Sequence, residues 1–336
     1  MKPGRWDFIV RADLRDVVAR PLREAERVLH PGILGAALAR LPGGRWRRLA
    51  AGLERLVEAV RASTDWQRAR VDYLEALVAG LAASRPPRIW RGAGESPVLL
   101  LGTGGGGTRL LGEAAVRLGV NLGARVNESF DSAEWAPLVY DLALAPSGDA
   151  VSRIRARAEA VHAVWPADRW GVKLPELLLV LPAFLDAFPD AQVVWLLRHP
   201  VAASLRRHHI TSLPDHPLGR LVLEAGYREL GRDPSAMERD PQHLRNAVAW
   251  RYQVGLARRA LAQRSRLELR VEDFQTAPVA TLDRMADFLG RPRPAPHDWV
   301  RVDDERLAIP RHDRRAAAVM EVCGALAREL GYDPTR

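Results

Sequence analysis

The stretch that most constrains this 336-residue chain is Val98-Leu-Leu-Leu-Gly-Thr-Gly-Gly-Gly-Gly-Thr-Arg109, which runs on into Leu110-Leu-Gly-Glu-Ala-Ala-Val-Arg117. Four consecutive apolar residues read as a strand buried on both faces, the kind found in parallel sheets. The segment after the glycines has apolar residues at helical spacing. Between the two, five of the six residues from Gly102 to Gly107 are glycine. With the side chains stripped away, backbone N–H groups can close on a ligand. A strand, a glycine loop and a helix N-terminus together make an anion site, usually for phosphate. A flexible linker would not be clamped between two apolar segments.

From Glu95 onward strands alternate with helices, the signature of a parallel sheet with crossovers. After the first strand, a short extended piece is predicted around Val120–Asn127. Gly171-Val-Lys173 reads as a brief strand leading into a helix over Pro175–Phe188. Ala191–Leu197 is the clearest strand, followed by Arg198-His-Pro200 and a helix through Ser204. Arg206–Ala236 reads as mixed helix and loop, with Pro214 and Pro217 breaking it. A long helix over Pro241–Gln263, a last strand over Leu267–Val271 ending in Glu272-Asp-Phe274, and helices over Val279–Leu289 and Arg311–Leu330 complete the pattern. The expected fold is α/β, a P-loop-like parallel sheet flanked by helices, over residues 95–336. Residues 1–94 read instead as a helical N-terminal extension, with apolar periodicity over Asp13–His30 and Arg45–Leu81. The extension carries eighteen Lys/Arg against ten Asp/Glu, most of the chain's net charge of +9. It is expected to be a solvated cap packed on the main domain.

The chain's basic balance raises nucleic acid as a partner. Yet only two of the fifty basic residues are lysine, Lys2 and Lys173, and an arginine bias of that size reflects a GC-rich genome. No basic-aromatic stripe, zinc-finger spacing or RNP-like motif is present, so no nucleic-acid partner is expected. No apolar run is long enough to span a membrane and Met1-Lys-Pro-Gly-Arg-Trp-Asp7 lacks a signal-peptide core, so a cytoplasmic location is expected. The single cysteine, Cys323, lies in an amphipathic pattern and reads as core. His199, His208 and His209 do not form a ligand face with nearby carboxylates; they read as surface or packing residues, with no metal expected.

The glycine loop meets three known patterns. A Walker A loop needs Lys and then Ser/Thr after its last glycine, whereas Thr108 and Arg109 follow Gly107, so ATP hydrolysis is not expected. The dinucleotide fingerprint fits as Gly102-x-Gly104-x-x-Gly107, with Glu128 about 20 residues further on. On the loop alone, an NAD(P)-dependent oxidoreductase stays open.

The third pattern draws on more of the chain. Gly107-Thr-Arg-Leu-Leu111, Asn127-Glu-Ser-Phe-Asp-Ser132, Gly171-Val-Lys-Leu-Pro175, Phe188-Pro-Asp-Ala-Gln-Val-Val-Trp-Leu-Leu-Arg-His-Pro200, and Leu269-Arg-Val-Glu-Asp-Phe274 with Asp287-Phe-Leu-Gly290 occur in that order. Together they resemble the motifs of sulfotransferases that use 3′-phosphoadenosine 5′-phosphosulfate (PAPS), in particular bacterial and glycan-modifying members. The resemblance runs from about residue 97 to residue 290 and leaves 1–94 aside. It implies a sulfotransferase-like fold, PAPS as donor, adenosine 3′,5′-bisphosphate as product and no metal.

By the same resemblance, the amides of Gly104, Gly105, Gly106, Gly107 and Thr108, with the charge of Arg109, hold the phosphosulfate. Arg198 meets the 3′ phosphate, and Ser204 shares it, at a spacing two residues shorter than the family's. Glu128 aligns with the general base of the glycan-modifying members. Asp131 is a second carboxylate, and Lys173 stabilises the bridging oxygen or binds the acceptor. One departure stands out. Family loops commonly carry Lys or Arg at the position of Gly104 or Gly105. Either Arg109 or Lys173 supplies that charge here, or the protein is a non-catalytic nucleotide binder. The acceptor is a small molecule, glycan or lipid bearing a hydroxyl or amine. Trp135, Trp165 and Trp170 lie near the predicted site, where such residues are usually core. No feature of the sequence speaks to oligomeric state.

Overall fold

The computed structural model describes residues 96–123, 126–127, 129–164, 169–205, 209–293, 310 and 312–332. The predicted helical extension over residues 1–94 lies outside them. Four strands, β1 (Val98–Leu101), β2 (Gly171–Lys173), β3 (Gln192–Leu197) and β4 (Arg266–Arg270), form one sheet in the order β2-β1-β3-β4. Every pairing is parallel: Leu100 lies opposite Lys173 and Val194, and Leu197 opposite Arg270.

The helices described are α1 (Thr108–Arg117), α2 (Ala136–Leu144), α3 (Ala150–Val164), α4 (Leu181–Ala187), α5 (Pro200–Ser204), α6 (Pro217–Glu229), α7 (Gln242–Ala260), α8 (Val271–Thr276), α9 (Pro278–Leu289) and α10 (Ala316–Glu329). Because strand side chains alternate between faces, the apolar strand runs feed two cores. Val98, Leu100, Val194 and Leu196 pack with Leu111 and Ala115 of α1 and with Leu282 and Met285 of α9. Leu99, Leu101, Val193, Trp195 and Leu197 pack on the other face with α2, α4, α6 and α7. Trp135 and Trp170 stack within this second core, their ring centroids 6.0 Å apart, while Trp165 lies outside the described residues. Cys323 is buried there too, and its thiol donates to Ala247 O at 3.4 Å.

Several elements differ from the sequence expectation. The extended piece expected around Val120–Asn127 contributes, among its described residues, two isolated bridges and no strand: Asn121 with Trp170 and Val126 with Ser132. Pro175–Phe188 is not one helix: a 3₁₀ turn over Pro175–Leu179 ends at Val180, and α4 restarts with Pro182 in its first turn, a position that tolerates the missing N–H. Pro217 opens a helix rather than breaking one. The terminal helix begins at Ala316, not Arg311. Helix α2 had no sequence signal because it is buried nearly all round, which erases the amphipathic period.

The chain steps from β1 outward to β2, then crosses back to β3 on the opposite side of β1. Such a reversal opens a crevice at the carboxyl ends of the strands. The glycine loop, Lys173 and Arg198 all leave the sheet at that edge.

Candidate active site

The loop after β1 is a tight turn. Gly106 N–H donates to Thr103 O at 2.8 Å, and Leu110 N–H donates to Gly107 O at 2.9 Å. Gly105 and Gly107 have φ of 75° and 86°, a region that residues with a Cβ rarely adopt. Gly107 is the N-cap of α1, and no side chain caps that end. Helix N-termini carry unpaired N–H groups and a partial positive charge, and here they open toward the loop. Thr108 is buried, while Arg109 is exposed on the first turn.

Arg198, buried at the end of β3, reaches under the loop and donates from Nη1 to Gly105 O at 3.0 Å. Its neighbour His199 is held on two sides. The His199 N–H donates to Glu272 Oε1 at 2.9 Å, tying the exit of β3 to the start of α8. The His199 ring accepts from Val201 N–H as the cap of α5 and packs edge-on against Tyr332. At the end of α5, Ser204 is 1% exposed. Its Oγ has no hydrogen-bond partner among the described residues, and its carbonyl accepts from Asn246 Nδ2 at 2.8 Å. A buried, unpaired hydroxyl is unfavourable on its own and suits an incoming acceptor oxygen.

The third strand end holds Lys173. Its side chain is 1% exposed, and its Nζ donates to Asp131 Oδ1 at 2.6 Å and to Ser129 O at 2.7 Å. The backbone is joined as well: Ser132 N–H donates to Lys173 O at 2.7 Å, and Lys173 N–H to Ser132 Oγ at 3.0 Å. Asn127 shapes the loop opposite, with its Oδ1 accepting from the N–H groups of Ser129 and Asp131 and its Nδ2 donating to Asp131 Oδ2. Phe130 takes a φ of 59°, a strained value for a bulky residue, and so turns Asp131 toward the lysine. Burial lowers the Lys173 pKa below its usual 10.5; the Asp131 and Glu176 carboxylates pull it back upward without cancelling the effect. Glu128 lies outside the described residues, between Asn127 and Ser129.

A second buried carboxylate follows Lys173 closely. Glu176, on the 3₁₀ turn, accepts from the Tyr140 hydroxyl at 3.3 Å and lies 3.6 Å from Nε2 of His209. The His209 ring sits against Gly104, with its Nδ1 3.2 Å from Thr211 Oγ1. Thr103, Gly104 and His209, with Ser212, Asn246 and Trp250, line a small cleft partly open to solvent. Among the described residues no three His, Cys, Asp or Glu side chains cluster as a metal site. None of the described helices is long and apolar enough to cross a membrane.

The structure thus joins Arg198 to Gly105 and Asp131 to Lys173, sets Ser204 beside the cleft-lining Ala203, and leaves Arg109 exposed. Sequence reasoning missed Glu272 as the group that ties Arg198's neighbour, and Glu176 and His209 as a pair. Glu176 had one signal, since it follows Lys173-Leu-Pro175 directly.

A family model described as the sulfotransferase family matches residues 44–295, starting well before the first of the motifs read above. The chain belongs to the sulfotransferase family. Sulfotransferase STF9 from Mycobacterium avium superposes with a TM-score of 0.50 at 14% identity, over 95% of this chain and 97% of that one. The sulfotransferase from Alicyclobacillus acidocaldarius gives a TM-score of 0.41 at 14% identity, over 71% of this chain and 97% of its own. At 14% identity the likeness to the Mycobacterium avium protein is one of fold, a parallel sheet flanked by helices. No curated protein matches the chain.

Proposed function

We propose that this sulfotransferase-family protein moves a sulfuryl group from PAPS to a hydroxyl or amine of an acceptor. The observation that carries the reading is the buried Arg198 guanidinium, 3.0 Å from Gly105 O, which sets a bidentate cation beneath a loop of backbone donors. In the proposed reaction the acceptor oxygen or nitrogen attacks sulfur in line. The bond from sulfur to the bridging oxygen breaks, and adenosine 3′,5′-bisphosphate leaves with the electron pair. A carboxylate, assigned to Glu128, takes the acceptor's proton. The amides of Gly104, Gly105, Gly107 and Thr108 would hold the 5′ phosphosulfate, the Gly106 N–H being engaged with Thr103 O, and Arg198 with the unpaired Ser204 hydroxyl the 3′ phosphate. Lys173 would stabilise charge on the bridging oxygen, and Asp131, through its 2.6 Å contact with Nζ, acts as the group that positions that lysine rather than as a second base.

The test is direct. The protein should bind adenosine 3′,5′-bisphosphate and ignore NAD, and labelled PAPS offered with fractionated small molecules, glycans and lipids should yield a labelled product. Tight NAD binding with none for the bisphosphate would overturn the proposal.

A further inference from the structure

Gly104 differs from Gly105 and Gly107 in its loop. Gly105 and Gly107 have positive φ, whereas Gly104 does not, so its backbone would accept any residue. What forbids a side chain there is His209: a Cβ on Gly104 would lie 2.0 Å from Cγ and 2.3 Å from both Cδ2 and Nδ1 of the imidazole. The ring therefore fills the space that a side chain at the mouth of the loop would occupy. The loop has no cationic side chain of its own between Gly102 and Thr108, and Arg109 beyond it is exposed.

The imidazole is also placed to carry charge. Glu176, whose side chain is 3% exposed, sits 3.6 Å from Nε2, and a buried carboxylate is costly unless a cation or hydrogen bonds compensate it. Lys173, the nearest lysine in sequence, directs its Nζ to Asp131 and Ser129. Protonation would exchange the 3.5 Å contact that Nδ1 accepts from Thr211 N–H for an Nδ1–H donated to Thr211 Oγ1, while Nε2–H faces Glu176 and the ring's positive charge lies against the loop. The His209 side chain remains 26% exposed, on the wall of the cleft with Thr103 and Gly104, so a ligand can reach it.

We propose that His209, backed by Glu176, is the cation of the glycine loop, and that it contacts the 5′ phosphate group of the donor from the position a side chain at residue 104 would otherwise take. This rests on the donor assignment made above. The chain would then carry its loop charge on the segment after α5 rather than on the loop itself.

The experiment titrates adenosine 3′,5′-bisphosphate calorimetrically into three full-length proteins: wild type, His209→Gln, and the double variant Gly104→Arg with His209→Ala. Urea midpoints serve as folding controls. Glutamine keeps polarity and approximate size but loses the charge, so binding should weaken by about tenfold or more, the loss associated with one charge-assisted contact. The double variant vacates the space beside residue 104 and returns the charge from the loop side, so its affinity should recover to within a few-fold of wild type. A merely structural histidine would not be rescued by moving the charge. Equal affinity of wild type and His209→Gln overturns the inference, as does a folded double variant that binds no better than His209→Gln. Failure of the wild type itself to bind the bisphosphate would instead overturn the donor assignment.

Discussion

Replacing Lys173 by Met, alone and together with Asp131→Asn, measures how firmly the loop Asn127–Ser132 is tied to the end of β2. Nζ makes two short charge-assisted bonds, to Asp131 Oδ1 and Ser129 O, each worth about 1.5–3 kcal/mol. Two effects reduce the sum. Burial disfavours the ammonium, which is why its pKa is lowered, and a methionine fills the same volume without that penalty. The Asp131 side chain is 19% exposed, so water screens part of the attraction. The coupling energy should therefore fall between the ~0.2–1 kcal/mol of surface pairs and the ~3–5 kcal/mol lost on breaking buried ones, at about 2 kcal/mol. Urea denaturation of wild type, both single variants and the double variant gives it directly, provided m stays constant. A coupling below ~0.5 kcal/mol, in the range of an exposed pair, would refute the reasoning. The pH dependence supplies a second check. The folded pKa of Lys173 lies below the unfolded value of 10.5, so between the two the unfolded chain binds more protons and stability rises with pH. This contribution is complete above 10.5 and is lost as pH falls through the folded pKa. The stability difference between wild type and Lys173→Met should thus shift in favour of wild type as the solution becomes alkaline. A shift the other way would mean that the carboxylates, not burial, dominate.

Three further outcomes are expected. Gly107→Ala should destabilise by roughly 2–5 kcal/mol in urea, from about 1–2 for a Cβ in the left-handed region and about 1–3 for overpacking, since the new Cβ would lie 2.7 Å from Val271 Cγ2; a loss under ~1 kcal/mol contradicts the loop geometry. Arg198→Lys should weaken adenosine 3′,5′-bisphosphate binding by about tenfold, because a lysine cannot make two parallel bonds, and unchanged affinity counts against the 3′-phosphate role. Cys323 should react with a thiol reagent only at the rate of unfolding, its thiol buried and its pKa raised by that burial; rapid labelling of the native protein would contradict the packing of α10.

Much of the fold was legible because the two central strands are apolar on both faces. Val98–Leu101 and Gln192–Leu197 announce themselves as runs that only a sheet covered on both sides can bury. Arg198 and Lys173 could be placed at the site because each directly ends a strand. The pairing partners were not legible. Nothing in Asn127–Ser132 tells a reader that Asp131 turns inward to Lys173, since that depends on Asn127 closing the loop and on the left-handed Phe130. Likewise His209 lies 105 positions beyond Gly104 in the numbering, and only the return of the chain after α5 brings the ring onto the loop. Contacts across that separation leave no local pattern for periodicity or turn chemistry to reveal.

The site's dependence on the sheet follows from the same arrangement. A loop with its own lysine carries its charge wherever the loop goes. Here the cations arrive from separate strand ends, Lys173 opposite Leu100 through β2, and Arg198 immediately after β3, whose Leu101–Trp195 pairing sets how far it runs past β1. Strand side chains alternate, so a one-residue slip of β2 would send Lys173 to the other face and away from Asp131. Two features resist that slip, the bonds between Ser132 and Lys173 and the Asn121–Trp170 bridge just ahead of β2; on the other side of β1, the Glu272 carboxylate on His199 N–H fixes the exit of β3 beside Arg198. Glu272→Ala should therefore weaken bisphosphate binding although Glu272 is assigned no contact with the ligand, whereas Glu272→Gln, which keeps an oxygen to accept the His199 N–H, should leave affinity within a few-fold of wild type. Equal losses in the two variants would mean that Glu272 acts through its charge, and the positioning argument would fail.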